Sequence, residues 1–303
     1  MRHMLLCSKD NYMPHTASLI VSVLENRKSD YPIQFNVVSD GITRDSKSKA
    51  LAIVDRYLGC QIVFRESPGY FEGLQEGGNF NLGTYLRFHA FELFPEIDQA
   101  LYSDGDVIAR ADLQDLFDMN LEGYYLGVNP AFDYRYLVKS GTGFIHDRLR
   151  KDLHLSEQEV NSYFGAGILV MNLKAMRQDG VRQKLLDYLA EHLNDERFIA
   201  DQETLNMVCK GKVKFYHPKF HLAVTHVQSS EGIRPFLLAQ ESLEFEEALR
   251  DPAMVHYCGH EKPWDTKFKK SLPFAADYRK YLAMTPWRPS FFRRLIDKIS
   301  SGS

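Results

Sequence analysis

Two aspartates one residue apart, Asp104 and Asp106 around Gly105, stand where the apolar strand-length segment Gln99-Ala100-Leu101-Tyr102-Ser103 breaks off before resuming as Val107-Ile108. At a strand's carboxyl end such a pair suits a hard divalent cation. Mg²⁺ and Mn²⁺ take oxygen from one or two carboxylates and fill their other positions with water and substrate phosphates. Open α/β sheets also collect their ligands at the carboxyl ends of strands. Asp-Gly-Asp is equally ordinary turn chemistry, in which Gly supplies a positive φ and Asp bonds its own backbone. The three residues alone favour the turn, so a metal has to be argued from elsewhere in the chain.

The elements that would position these residues alternate. His3 to Ser8 is a short apolar strand, followed by a polar loop through Lys9, Asp10, Asn11, Tyr12 and Pro14. A helix runs from about Thr16 to Asn26, with Leu19, Ile20, Val23 and Leu24 on one face. Gln34–Ser39 is the next strand, Ser46–Leu58 a helix and Gln61–Phe64 a strand. This order indicates βαβ units and an α/β fold with a mixed, mainly parallel sheet. No Gly-x-Gly-x-x-Gly follows the first strand, so a dinucleotide fingerprint is missing. Thr84–Phe94 reads as a helix carrying Arg87 and stopped by Pro95. Pro130–Ser162 mixes aromatic and basic residues without periodicity and reads as an irregular segment, either functional or a solvated insertion. Tyr163–Leu173 is a buried strand entered through Gly165-Ala166-Gly167, small residues that let a ligand approach or merely pack against a helix. Ala200 opens a further helix, where Asp201 could be only an N-cap. Ala253–Tyr257 is a last short strand before the loop Cys258-Gly259-His260-Glu261-Lys262-Pro263-Trp264.

Composition narrows the partners. The chain has 303 residues, 44% hydrophobic and 25% charged, and carries 20 Phe and 16 Tyr, which describes a globular protein with a sizeable core. A net charge of −3 argues against nucleic acid as an obligate partner. Cys7, Cys60, Cys209 and Cys258 stand far apart without a CxxC pair, as free thiols do in a reducing cytosol. The apolar run at the start is too short for a signal peptide, and no run reaches membrane-spanning length.

Taken together, these blocks resemble glycosyltransferase family 8, the retaining sugar-nucleotide transferases that include glycogenin and bacterial lipopolysaccharide galactosyl- and glucosyltransferases. The resemblance runs from about His3 to Trp264, with the motif blocks in the family's order. It implies a single Rossmann-like domain of GT-A type. It also implies that Asp104, Asp106 and His256 bind Mn²⁺, with Mg²⁺ as the alternative, and that Gly259 and Lys262 lie at the donor diphosphate. Two carboxylates, an imidazole and two diphosphate oxygens are a coherent shell for a borderline-hard ion. By the same match Asn11 bonds the uracil and Tyr12 stacks on it, while Arg87 contacts donor sugar and diphosphate. The family often has a second acid where this chain has Lys9. Similar galactosyltransferases carry Asn-Ala-Gly where this chain has Gly165-Ala166-Gly167, so only Ala166 and backbone contacts carry over and a space is vacated beside the donor sugar. Asp201 and Gln202 match the family's catalytic Asp-Gln pair.

The implied activity is a retaining, Mn²⁺-dependent hexosyltransferase that uses a UDP-sugar donor and a saccharide or lipid-linked oligosaccharide acceptor. A UDP-sugar-binding protein without transfer activity, and a metal-dependent phosphatase or nucleotidyl transferase, are the alternatives the same residues allow. Residues 1–265 form the catalytic domain and 266–303 a C-terminal helical tail. In that tail Phe291, Phe292, Leu295, Ile296 and Ile299 share one helical face opposite Arg293, Arg294, Asp297 and Lys298. That pattern fits an interfacial helix for an anionic leaflet, and hence a cytoplasmic protein held at the inner face of the membrane.

Overall fold

Met4, Leu5 and Leu6 are all fully buried, as a continuous apolar run is when a strand lies inside a sheet covered on both faces. The computed structural model describes residues 1–69, 82–265, 267 and 272–288. Its strands are β1 (Arg2–Lys9), β2 (Ile33–Asp40), β3 (Gln61–Glu66), β4 (Ala100–Ser103), β5 (Val107–Ala109), β6 (Leu126–Pro130), β7 (Phe164–Met171), β8 (Val213–Phe215), β9 (Leu222–Ala223) and β10 (Met254–His256). Seven form one sheet in the order β3-β2-β1-β4-β7-β6-β8; the other three form a small sheet in the order β5-β10-β9. In the large sheet β4–β7 and β7–β6 are antiparallel and the other four pairings parallel. This is the expected mixed, mainly parallel α/β architecture.

The helices that matter here are α1 (Met13–Glu25), α2 (Arg44–Val54), α3 (Phe132–Lys139), α4 (Val181–His192), α5 (Ala200–Val208), α6 (Ala239–Arg250) and α7 (Ala275–Ala283). Alternate residues of each strand feed two apolar clusters. Met4, Leu6, Leu101 and Ile168 face α1 and Tyr278 and Tyr281 of α7; Leu5, Tyr102 and Leu169 face Phe88, Leu185 and Leu205. Each fully buried Leu, Ile or Val contributes about 1.5–3 kcal/mol, and the consecutive Leu19, Ile20 and Val21 are buried on different sides of α1, which packs against α2 and α7 as well as the strands.

Three sequence expectations are corrected. α1 begins at Met13, inside the expected polar loop, because Pro14 sits in the first turn, where its missing N–H costs nothing. α2 runs from Arg44, capped by Thr43 Oγ1 accepting from Ser46 N, and ends at Val54, short of Leu58. Pro130–Ser162 is not irregular: α3, a short helix at Phe144–His146, a π-helical turn at Asp147–Asp152 and a helix at Glu157–Asn161 fill it. Two of its basic residues, Arg135 and Arg148, point inward to Glu241 and Glu203, which hid the amphipathic period. The expected tail helix from Ser290 to Ile299 lies outside the described residues.

Candidate active site

β1 and β4 run parallel, so both end at the same edge of the sheet, and antiparallel β7 starts there. Asp104 leaves β4 at that edge, where its N–H donates to Gly167 O at 2.8 Å. Gly105 is not in the left-handed region, so the turn reading is not what requires it. A Cβ there would stand 2.8 Å from Thr16 Oγ1 and 3.1 Å from the Tyr12 ring. The chain then continues as β5, and β10 pairs antiparallel with it, placing His256 opposite Val107. Tyr257 N–H donates to Asp106 O at 2.9 Å and closes the register.

This topology converges three ligand atoms from distant sequence. One atom each of Asp104, Asp106 and His256 lies within 4.8 Å of the others. His256 Nε2 is 3.3 Å from Asp106 Oδ1 and 3.7 Å from Asp104 Oδ2. The donor set, two carboxylate oxygens and an imidazole nitrogen, fits Mn²⁺ or Mg²⁺ with positions left for phosphate and water. Gly167 makes the approach feasible, since a Cβ there would lie 2.3 Å from His256 Cε1.

Cations surround the carboxylates. Lys262 Nζ donates to Asp106 Oδ2 at 2.5 Å and to Tyr257 O at 2.6 Å. Buried Arg87 donates to Asp104 Oδ1 at 2.9 Å and to Ala166 O at 2.5 Å, and lies 3.0 Å from Asp201 Oδ2. Tyr102 adds its hydroxyl to Asp104 Oδ1 at 2.6 Å and its ring face to Arg87 at 4.3 Å.

The charges follow from this packing. Burial opposes ionisation of Asp106, but His256 and Lys262 outweigh it and hold the carboxyl below its ordinary value. His256 is raised, its burial overcome by Asp106 and Asp104. Asp201 goes the other way: burial, with Asp104 adding to it and Arg87 opposing, pushes it up to about 6. Cys7 lines the cavity as an inert thiol, pushed up to about 12 by burial.

Asn11, Tyr12, Arg87, Asp104, Gly105, Asp106, Ala166, Asp201, Gln202 and His256 all line one cavity of about 480 Å³. Gly259 lines a second, of about 240 Å³, which shares Ala166, Gly167, Gln202 and His256 with the first. Lys262 reaches the first through Asp106. Asp201 is not an N-cap: Ile199 holds that position, and Asp201 lies in the first turn of α5. Gln202 Oε1 accepts from Ala166 N at 3.2 Å, and its buried Nε2 has no acceptor within hydrogen-bond distance among the described residues. The space expected beside Gly165 is bounded by an imidazole, because a Cβ there would stand 3.1 Å from His221 Cε1.

Some site residues were not read from sequence. Tyr102 was visible in principle, two residues before Asp104 on the same strand face. His221 was not, since its place depends on β9 pairing with β10. Nor was the aromatic group behind Tyr12. His15 stacks on Trp264 with centroids 3.5 Å apart, its Nδ1 lies 2.6 Å from Tyr278 Oη on α7, and Tyr12 meets both rings edge-on. Asp133 of α3 lines the second cavity, held by the Thr225 hydroxyl at 2.7 Å and His226 at 3.3 Å.

Solved structures that share this architecture include glycosyltransferases. The galactosyltransferase LgtC in complex with donor and acceptor sugar analogs matches with a TM-score of 0.77 at 23% identity, over 96% of this chain and 99% of that one. That likeness shows the GT-A fold, and the enzyme class, the glycosyltransferases, comes with the family. The chain belongs to glycosyl transferase family 8, whose sequence model matches residues 3–267. Relatives include General stress protein A of Bacillus subtilis, 26% identical over 290 residues, covering 94% of each chain. Another is the lipopolysaccharide 1,2-glucosyltransferase of Escherichia coli, 23% identical over 297 residues, 95% of this chain and 80% of that protein.

Proposed function

We propose that this glycosyltransferase is a retaining, Mn²⁺-dependent hexosyltransferase that moves galactose or glucose from a UDP donor to a saccharide acceptor. The observation that carries this reading is the Asp104–Asp106–His256 cluster, bordered by Lys262 and Arg87, where the larger cavity meets the smaller one. In this reading the larger cavity takes the donor. Asn11 bonds the uracil and Tyr12 stacks on it, its ring supported from behind by His15 and Trp264. Asp104, Asp106 and His256 would hold the cation, whose chemistry is Lewis-acid stabilisation of charge on the diphosphate. Lys262 Nζ moves from Asp106 to the diphosphate oxygens and neutralises the charge that develops as the anomeric carbon–oxygen bond breaks. Arg87 and Asp201 hold sugar hydroxyls, and Gln202 lies against the reacting face.

The smaller cavity takes the acceptor, which attacks from the leaving group's own face and so retains configuration. Asp133 is a poor base there: burial is outweighed by His226 and Thr225, which hold its carboxyl below the ordinary value. The departing phosphate accepts the acceptor's proton instead. A lipopolysaccharide core or another lipid-linked oligosaccharide is the acceptor class suggested by the Escherichia coli relative. A cytoplasmic location with attachment to an anionic leaflet through the basic, aromatic segment after Pro289 completes the proposal. Among the described residues no helix is long and apolar enough to cross a membrane.

The test is transfer from UDP-galactose and UDP-glucose to a saccharide panel with Mn²⁺, followed by NMR of the new linkage. An α-linked product from the α-linked donor supports the proposal, whereas a β-linked product refutes retention.

A further inference from the structure

We infer that His221 is a positioning residue that sets the tautomer and orientation of His256, so that Nε2 and not Nδ1 faces Asp104 and Asp106. This rests on the reading of that cluster as a divalent-cation site. β9 and β10 run parallel with Val255 beside Leu222 and His256 beside Ala223, which brings His221, just before β9, against His256. Both imidazoles are buried. His221 Nε2 lies 3.0 Å from His256 Nδ1, with ring centroids 5.3 Å apart and planes inclined by 30°.

A contact of that length between two ring nitrogens holds one proton. With two protons the N–H groups would face each other, and with none the lone pairs would. His256 Nε2 is the nitrogen directed at the carboxylates, 3.3 Å from Asp106 Oδ1. To give a lone pair to a cation there, His256 must carry its proton on Nδ1. His221 Nε2 is then the acceptor, and the proton of His221 sits on its own Nδ1. The backbone of β7 fixes the pair in place. A Cβ at Gly167 would overlap His256 Cε1 at 2.3 Å, and one at Gly165 would press on His221 Cε1 at 3.1 Å.

A metal-ligating His ordinarily gives its second N–H to a carboxylate, a carbonyl or water. Here a neutral imidazole takes that place, which adds no negative charge to a site that already holds Asp104, Asp106 and Asp201. A side chain at 165 would begin 3.1 Å from His221 Cε1, so the imidazole would have to shift by a few tenths of an ångström to admit one.

The test is Mn²⁺ titration of the purified protein, followed by the EPR signal of the free ion, for wild type, His221→Phe and His221→Gln. Phe keeps much of the ring volume without an acceptor, whereas Gln keeps an acceptor oxygen. His221→Phe is expected to weaken Mn²⁺ about 10–100-fold, with recovery in His221→Gln. Binding of UDP without metal should be the same in all three. Nitrogen NMR with Mg²⁺ should show His256 protonated at Nδ1 in wild type and shifted toward Nε2 in the Phe variant. Unchanged Mn²⁺ affinity in His221→Phe, equal losses in Phe and Gln, or a proton on His256 Nε2 in the wild type would each overturn the role of His221. If His221→Phe does not fold, the wild-type tautomer and the Gln variant still decide. Wild-type protein that binds neither Mn²⁺ nor Mg²⁺ would instead overturn the cation site, and with it the inference.

Discussion

At the scale of single residues, the site balances three acids against three bases, and the two sides respond oppositely to mutation. Asp201 is buried with a carboxyl pushed up from 3.8 to about 6, so the folded protein holds that proton more tightly than the unfolded chain does. Its contribution to stability is therefore complete below about pH 4 and lost as pH rises to about 6. Asp201→Asn should stabilise the fold by about 1–3 kcal/mol above that window and hardly at all below it, while transfer is lost. Thermal unfolding across pH checks this; equal stability of both proteins above pH 6 would contradict it. Arg87→Ala should do the reverse, because it strips Asp104 and Asp201 of their shared cation. A loss of about 3–5 kcal/mol is expected, read as a lowered denaturant midpoint. In sequence Asp104 and Asp106 offered a cation site only beside the ordinary turn, and it was the family resemblance, not residue type alone, that joined His256 and Lys262 to them. Tyr102 and His221 were not read from it, because what they do is defined by neighbours across strands.

At the scale of elements, the pair proposed as catalytic, Asp201 and Gln202, depends on how α5 begins. Ala200 enters it with φ of +48°, a left-handed conformation that costs a non-glycine residue roughly 1–2 kcal/mol. Buried Glu203 holds this start in place, accepting from Ile199 N at 3.1 Å and from Arg148 at 2.8 and 2.5 Å. Arg148 comes from the π-helical turn, so a segment remote in sequence orients Asp201 and Gln202. Arg148→Met would leave Glu203 buried without its cation. A destabilisation of about 3–5 kcal/mol is expected, with kcat falling more than donor affinity, since Asp104, Asp106 and His256 keep their places. An unchanged kcat would show that α5 is held by other means. This is the part of the chain that sequence periodicity misread. The helix predicted from apolar spacing at 16–26 emerged as α1 within a few residues; α3 and its successors did not, because Arg135 and Arg148 are core residues there and hydropathy scores them as surface.

At the scale of the whole molecule, strand–helix alternation was sufficient for β1, β2, β3, β4 and β7, which are written as short apolar runs, but not for β8, whose Val213, Lys214 and Phe215 are half-buried or exposed. It could not place the pairing of β5 with β10, which unites Asp106 with His256 across some 150 residues of chain. Nor could it place α7, whose Tyr278 and Tyr281 pack into the core beside α1, Tyr278 touching His15 behind the Tyr12 that lines the larger cavity. The stretch 272–288 is therefore continuous with the fold, and Trp287 lies against the same core. Beyond it, removal of Ser290–Ser303 should release the protein from anionic vesicles while transfer to a soluble acceptor persists; unchanged cosedimentation would contradict the proposed anchor. The central claim is that this site breaks a UDP-sugar with the help of a divalent cation. UDP release from UDP-galactose and UDP-glucose, measured with Mn²⁺ and with chelator for wild type and Asp106→Ala, tests it most directly. Release that requires both Mn²⁺ and Asp106 is the predicted result, and release unaffected by chelator or by Asp106→Ala would contradict it.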